Sequence, residues 1–244
     1  MHKSTTGFTI VELLIVIIVI GILASITIVA YNGIVDKAHL AAGLSFERQI
    51  KNKYLLDATG EWSLDTCTGS TIQNTGATPS TDVILGTANW ITDTPSQTGC
   101  ALRLDGATRI ETQQAPLGST YYVKAAWVRI PKGPCSSSSN NIISQATNSG
   151  SEAALYAPSC KPAAGHNGTW SMVTSPAAIN DGKWHYIAVI WEQNIPTLYV
   201  DGKNVASASG IGVPTRSTGG VSIGAYLNSY HLIGDIDNIF VAAQ

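Results

Sequence analysis

FTIVELLIVIIVIGILASITIVA, the stretch from Phe8 to Ala30, decides how the rest of the chain is read. It is almost wholly apolar, and a helix that crosses a bilayer needs about 20 such residues. Met1–Gly7 before it is polar, with Lys3 as its only fixed positive charge. The run is too long for the apolar part of an ordinary secretory signal. No A-x-A-like cleavage site follows it, because Ala30 leads into Tyr31, Asn32 and Gly33. The apolar helix is therefore expected to remain with the protein after export.

Glu12 breaks the run. A carboxylate inside a membrane helix costs a few kcal/mol and usually has a partner. No basic residue lies between Phe8 and Lys37. A cation would have to come from another chain or from an amine made by cleavage. A cut after Gly7 makes such an amine at Phe8, one helical turn before Glu12 and on the same face.

Gly7-Phe8-Thr9-Ile10-Val11-Glu12-Leu13-Leu14, with Gly21-Ile22-Leu23-Ala24 further on, resembles the class III signal and N-terminal helix of type IV pilins and pseudopilins. The resemblance implies that a prepilin peptidase cuts after Gly7 and methylates Phe8. It implies that Glu12 then neutralises that amine on a neighbouring subunit during assembly. The partners it implies are other pilin subunits, the prepilin peptidase and the pilus assembly machinery. The protein would sit in the cytoplasmic membrane first and in an extracellular filament of a prokaryote afterwards. In one respect the chain departs from the pattern. Many pilins carry a kinking proline late in this helix, whereas here the first proline is Pro79, and Gly21 and Gly33 are the soft points.

Downstream, Ile34, Ala38, Ala42, Phe46, Ile50 and Tyr54 recur every fourth residue, which predicts that the helix continues with an apolar stripe. The stripe is expected to pack on the C-terminal domain or on neighbouring subunits. Glu47 and Lys51 have a favourable spacing. The pattern fades near Asp57, and Gly60 reads as the stop.

After Gly60 the signals change to those of strands. Candidate strands are 101–104, 108–111, 121–130, 141–144, 153–156, 184–191, 197–200, 203–207, 221–223 and 236–241. Asp201-Gly202 is a strong two-residue hairpin signal, and Asp105-Gly106 suggests a second turn. Many short strands without helical periods between them predict an antiparallel sandwich. The fold class expected is α+β, a long N-terminal hydrophobic helix followed by a β-sandwich. The expected partition is a leader over 1–7, a helix over 8–58 and a sandwich over 60–244. Cys135–Asn141, CSSSSNN, reads as a low-complexity loop.

The order of several pieces in this region resembles a laminin-G-like, concanavalin A-like jelly roll. They are Gly60-Glu61-Trp62-Ser63-Leu64-Asp65, Ala101-Leu102-Arg103-Leu104-Asp105-Gly106, Ala126-Trp127-Val128, Asp181-Gly182-Lys183-Trp184-His185-Tyr186, Leu198-Tyr199-Val200-Asp201-Gly202 and Gly234-Asp235-Ile236-Asp237-Asn238-Ile239. The resemblance implies recognition of glycans or proteins more often than catalysis, although fold alone does not decide function.

Composition narrows the classes further. Of 244 residues only 12% are charged, against roughly 25% in soluble domains, and the net charge is −2. With no basic cluster, nucleic acid is not an expected partner. The four cysteines, Cys67, Cys100, Cys135 and Cys160, form no C-x-x-C pair. In an exported chain an even count reads as disulfides with three connectivities open, of which sequential pairing is expected here.

Candidate site residues follow from chemistry. Trp127, Trp184 and Trp191 are expected to fill the core between the sheets. His185 is expected to be a satisfied structural histidine. Trp90, Trp170, Tyr226 and Tyr230 lie in polar, Gly- or Asn-rich stretches and are candidates to stack on a sugar ring, Tyr226 and Tyr230 foremost. Asp235 and Asp237 share one side of a strand and, with Asp105, are candidates for a calcium site. No cofactor is required by this reading. No Glu-x-Asp-x-(x)-Glu set or H-E-x-x-H is present, so no enzyme is expected. Asn167-Gly168-Thr169 matches a glycosylation acceptor, discounted in a prokaryote. The expectation is a pilin, major or minor, that displays an adhesive, lectin-like domain. The alternatives are a pseudopilin of a secretion or DNA-uptake machine and a membrane-tethered glycan-active enzyme.

Overall fold

The computed structural model describes residues 7–113, 115, 120–135, 140–145, 153–215 and 219–244, the side chains of 28–30 and 32 apart. The leader before Gly7 and residues 136–139 of the low-complexity loop lie outside these. The chain divides into two compact units, Met1–Ala41 and Ala42–Gln244.

The first unit is helical, being the N-terminal part of α1, which runs from Ile10 to Tyr54. Within it Ile10–Thr27 is long and apolar enough to cross a membrane, with mean hydropathy 2.9 and no residue buried. Thr9 and Glu12 form a reciprocal cap at its start. The Glu12 N–H donates to Thr9 Oγ1 (3.2 Å), while Glu12 Oε2 accepts from the Thr9 N–H (2.9 Å) and hydroxyl (2.7 Å). Glu12 therefore already has two donors without a cation. The T-x-x-E spacing that makes this cap is in the sequence, at Thr9-Ile10-Val11-Glu12. The Ser25 and Thr27 hydroxyls donate back to carbonyls within the helix, so these polar side chains are satisfied inside the apolar run.

The second unit holds sixteen described strands. They are β1 (Ala58–Trp62), β2 (Thr71–Asn74), β3 (Ser80–Leu85), β4 (Asn89–Ile91), β5 (Ala101–Asp105), β6 (Arg109–Glu111), β7 (Tyr121–Arg129) and β8 (Asn141–Gln145). There follow β9 (Ala154–Tyr156), β10 (Ala163–His166), β11 (Thr169–Thr174), β12 (His185–Glu192), β13 (Ile195–Val200), β14 (Lys203–Ser207), β15 (Val221–Ile223) and β16 (Ile233–Ala243). The described strands pair antiparallel in two sheets. The first runs β14-β13-β12-β7-β16-β5-β4 with β1 also on β16, and the second runs β11-β10-β9-β8-β15-β6-β3-β2. Together they make a jelly-roll sandwich.

Side-chain alternation assigns the faces. Tyr122, Ala126, Val128, Ile187, Trp191 and Ile236 from the first sheet meet Ile110, Ile143, Leu155, Ala164 and Ile223 from the second in one core. Trp62 closes it, donating from Nε1 to buried Asp82 (2.7 Å). Disulfides join Cys67 to Cys100 and Cys135 to Cys160, and loops of these lengths contribute about 3 kcal/mol each in the chain-entropy account.

The outer face of the first sheet is covered by the last turns of α1, where Gly43, Glu47, Ile50 and Tyr54 are buried. That stripe is turned from the expected one, since Ala42 is exposed and Phe46 only half-buried, against Tyr199 and Tyr186. The cause is Trp127, which points to this face and not into the core. A Cβ on Gly43 would come within 2.4 Å of its ring, and its Nε1 donates to Glu47 Oε2 (2.8 Å). Trp184 is also outside the core cluster, beneath the Arg129 guanidinium at 4.9 Å. Only Trp191 of the three fills the interior.

The helix ends earlier than the glycine signal suggests. It stops at Tyr54, one 3-10 turn covers Leu55–Asp57, and Gly60 lies inside β1, where the Trp62 ring leaves no room for a Cβ. Strands β1 to β4, β10 and β11 were not among the expected ones.

Candidate functional site

The outer face of the second sheet carries a cleft of about 350 Å³. Its sheet residues are small. Ser144 pairs with Ser222 across β8 and β15, and Ala154 of β9 pairs with Gly165 of β10. Ser144, Ala153 and Ala154 leave the space, and four aromatic side chains, Tyr156, Trp170, Tyr226 and Tyr230, border it.

Each aromatic is placed by a local device. Trp170 sits one residue into β11, after a two-residue turn at Asn167-Gly168 with both φ positive (51° and 80°). The Asn167 side chain fixes that turn by donating to the Val213 carbonyl (2.8 Å) and accepting from the Thr215 N–H (3.1 Å). Gly165 allows the backbone of β11 to pass where a Cβ would lie 2.0 Å from the Thr169 oxygen. Tyr156 ends β9, and its hydroxyl bonds that of Ser171. Tyr226 and Tyr230 flank a tight loop closed by reciprocal bonds between Tyr226 and Ser229, and their rings are 6.4 Å apart. The loop is tied to β8 by the Asn141 N–H, which donates to the Tyr230 carbonyl (3.1 Å).

The polar equipment of the cleft is uncharged. Asn141 is 8% exposed, and its side-chain carbonyl has no hydrogen-bond partner among the described residues. The Ser144 hydroxyl donates to the Ala225 carbonyl (2.7 Å). No Asp, Glu, Lys, Arg or His is among the described lining residues.

The cleft thus brings together Trp170, Tyr226 and Tyr230 from the residues singled out in the sequence and adds Tyr156, Asn141 and Ser144, which were not. Trp90 lies on the first sheet, with Nε1 donating to the Gly69 carbonyl (3.1 Å). The signal that could have placed Trp170 was Asn167-Gly168, which is a hairpin turn as well as a glycosylation acceptor.

The other candidates have structural settings. His185 Nδ1 lies 2.7 Å from Asp201 and Nε2 lies 3.1 Å from Asp181. Burial alone would lower its pKa, but the two carboxylates reverse this and hold it above the ordinary value. His166, which lies between Tyr122 and the Gly212 carbonyl, is held below its ordinary value by burial.

The three aspartates proposed for calcium do not form one site. Asp105 Oδ1 accepts from the Ala107 and Thr108 N–H groups, an arrangement that closes the β5–β6 turn. Asp235 is ion-paired to both Arg103 (2.8 Å) and Arg129 (2.7 Å). Asp237 is buried under α1, where burial, followed by the Asp65 and Glu47 charges, raises its pKa to about 8. Among the described residues no group of three or more His, Cys, Asp or Glu side chains could hold a metal. The physical reason is that Asp235 already has two cations and Asp237 is under the helix, so neither offers free oxygens to a third.

A family profile described as the concanavalin A-like lectin/glucanases superfamily matches residues 104–242, more than half of the chain. The chain belongs to this superfamily. Residues 2–28 match the prokaryotic N-terminal methylation motif, so the sandwich follows a type IV pilin N-terminus. No curated protein sequence matches the chain. Among solved structures the superfamily member is similar to domain 4 of AbnA, a GH43 extracellular arabinanase from Geobacillus stearothermophilus, in complex with arabinotriose. The TM-score is 0.61 at 16% identity, over 77% of this chain and 92% of that one. The binding domain of botulinum neurotoxin serotype D gives 0.56 at 10% identity, over 79% of this chain and 49% of that one. A mutant Trypanosoma rangeli sialidase displaying trans-sialidase activity gives 0.54 at 12% identity, over 76% of this chain and 30% of that one. At these identities the likeness is one of fold.

Proposed function

We propose that this is a pilin-like surface protein whose sandwich binds a carbohydrate in the cleft of the second sheet. The observation that carries the reading is the convergence of Tyr156, Trp170, Tyr226 and Tyr230 around a small-residue surface. An aromatic ring offers a flat apolar face to the C–H side of a sugar. Domain 4 of the arabinanase was solved with arabinotriose, which agrees with this use of the fold.

At the other end, cleavage after Gly7 and methylation of Phe8 prepare the apolar helix. It anchors the protein in the cytoplasmic membrane and then enters a filament, in which Glu12 exchanges its Thr9 cap for the Phe8 amine of a neighbour. The sandwich is displayed on the cell surface. Binding rather than catalysis fits a cleft whose described lining holds no carboxylate pair.

Two measurements test this. Intact mass of protein sheared from cells should give a chain that begins at N-methylated Phe8 and lacks the four cysteine protons. Retention of Met1–Gly7, or no sheared material, would refute the filament role and leave a component kept in the envelope. A glycan array probed with full-length protein and with Trp170→Ala tests the cleft, since carbohydrate binding that Trp170→Ala leaves intact would refute it.

A further inference from the structure

We infer that the cleft selects an electrically neutral saccharide, recognised through hydroxyl groups and sugar faces and not through a carboxylate or sulfate. The inference rests on the carbohydrate reading of the cleft and goes beyond it to the class of sugar.

An acidic sugar brings a charge that must leave water on binding. An anion buried without a cation is strongly penalised, and sites that read carboxylates supply arginine, often through two parallel bonds. This cleft has no such donor among its described lining residues. Arg109 touches the Tyr226–Tyr230 loop, where it donates from one terminal nitrogen to Asn228 Oδ1 (2.8 Å). Its Nε is on Glu111 (2.9 Å), so its charge is already matched.

What the cleft does offer is complementary to hydroxyls. The Asn141 amide is nine-tenths buried, and its carbonyl is a hydrogen-bond acceptor that the described residues leave unpartnered. Such a group in a native protein calls for a donor, which a sugar hydroxyl supplies. The Ser144 hydroxyl spends its proton on the Ala225 carbonyl and so presents oxygen lone pairs, again a place for a donor. A hydroxyl can meet these acceptors and a carboxylate, which is acceptor-only when ionised, cannot. The volume of about 350 Å³ lies at the low end of small-molecule pockets, which run from about 300 to 1,000 Å³, and so fits a short saccharide segment.

The test uses the full-length protein in a detergent without a sugar headgroup. It is applied to an array that carries neutral glycans alongside sialylated, uronate-containing and sulfated ones, and affinities are then measured by isothermal titration calorimetry. The expected result is binding confined to neutral glycans, with acidic analogues weaker by roughly tenfold or more. Affinity should change less than about twofold between low and high salt, because no ion pair is formed. Trp170→Ala should weaken it by roughly tenfold. Tyr230→Ala, at a half-exposed position, should act in the same direction and covers the case in which Trp170→Ala fails to fold. Tight binding of an acidic glycan that weakens with salt and is lost in both variants would overturn neutrality and leave the carbohydrate reading standing. Binding to no glycan, or binding that neither folded variant alters, would overturn the carbohydrate reading itself and this inference with it.

Discussion

The two outer faces of the sandwich carry similar side chains and put them to different uses. On the first sheet Trp127 is fully buried, seated against Gly43 of α1 and hydrogen-bonded to Glu47. On the second sheet Trp170 is only half-buried and borders open space with three tyrosines. Glu47 is shared by Trp127 and by Lys51, which also reaches Glu61. Unpartnered buried polar atoms occur on both faces, the Tyr186 hydroxyl beside Trp127 and the Asn141 carbonyl in the cleft. What separates the faces is cover: α1 closes the space around Trp127, whereas the cleft around Trp170 is open to a ligand.

The largest expected effect lies on the closed face. Trp127→Ala removes a buried indole, leaves a cavity under α1 and takes one donor from Glu47. Losses of this kind cost about 3–5 kcal/mol. Chemical denaturation of the full chain should show it, with glycan affinity per folded molecule unchanged. A loss under about 1 kcal/mol would mean that the helix segment after Ala41 does not need the indole to cover the sheet.

Next is a pH effect on the same face. Asp237 is protonated in the folded state up to about pH 8, because burial raises its pKa, and in the unfolded chain only up to about pH 4. Between these values the folded state holds the extra proton, so stability is fully present below about pH 4 and is lost as pH rises toward 8. His185, also raised, adds a loss of the same sign above its ordinary value. The Asp237 share is on the order of a few kcal/mol. Asp237→Asn should flatten the fall in unfolding free energy between pH 5 and pH 8, and an unchanged slope would show that Asp237 ionises freely under the helix.

A smaller effect sharpens the contrast from the open side. Trp170→Ala should change stability by less than about 1 kcal/mol, since half of the side chain is already exposed. It should weaken glycan binding by roughly tenfold, or about 1.4 kcal/mol. Thermal unfolding and calorimetric titration of one preparation separate the two. Equal losses in both would make Trp170 a structural residue like Trp127.

How much of this contrast the chain discloses depends on the range of the interactions. The apolar run, the jelly-roll pieces and the Asp201-Gly202 turn are local or ordered along the chain, and the fold follows from them. In the structure that turn has φ of 51° and 78°, as its composition requires. The face to which Trp127 points is not legible, because β7 is buried on both sides nearly throughout and shows no alternation of apolar and polar residues. Only the arrival of α1 on that sheet decides it. The cleft is less legible still. Trp170, Tyr226 and Tyr230 could be chosen as candidates from their polar surroundings. Their meeting with Tyr156 and Asn141 depends on pairings of β8 with β15 and of β9 with β10 that no local signal specifies. Asn167-Gly168 is the exception, a two-residue turn whose composition is readable in the sequence.

The smallest effect concerns the two aspartates of β16 that lie on the closed face, Asp235 and Asp237. Spacing placed them together as calcium ligands, and the structure separates their chemistry. Asp235 is held by Arg129, which is mostly buried, and by Arg103, whose side chain is 49% exposed. Arg103→Ala removes a solvated pair of the kind that contributes about 0–1 kcal/mol, and Arg129 remains to neutralise the carboxylate. The loss should therefore stay below about 1 kcal/mol and shrink further in high salt. Millimolar calcium should leave the unfolding temperature of both proteins unchanged, because ligand binding to the folded state would raise it in proportion to occupancy. A rise with calcium in the wild type that Arg103→Ala enlarges would show that the ion and the arginine compete for Asp235. The polar pocket there, shared with Asp93, Asp105 and Lys132, would then be a second place on this molecule where charge, which the aromatic cleft lacks, is read.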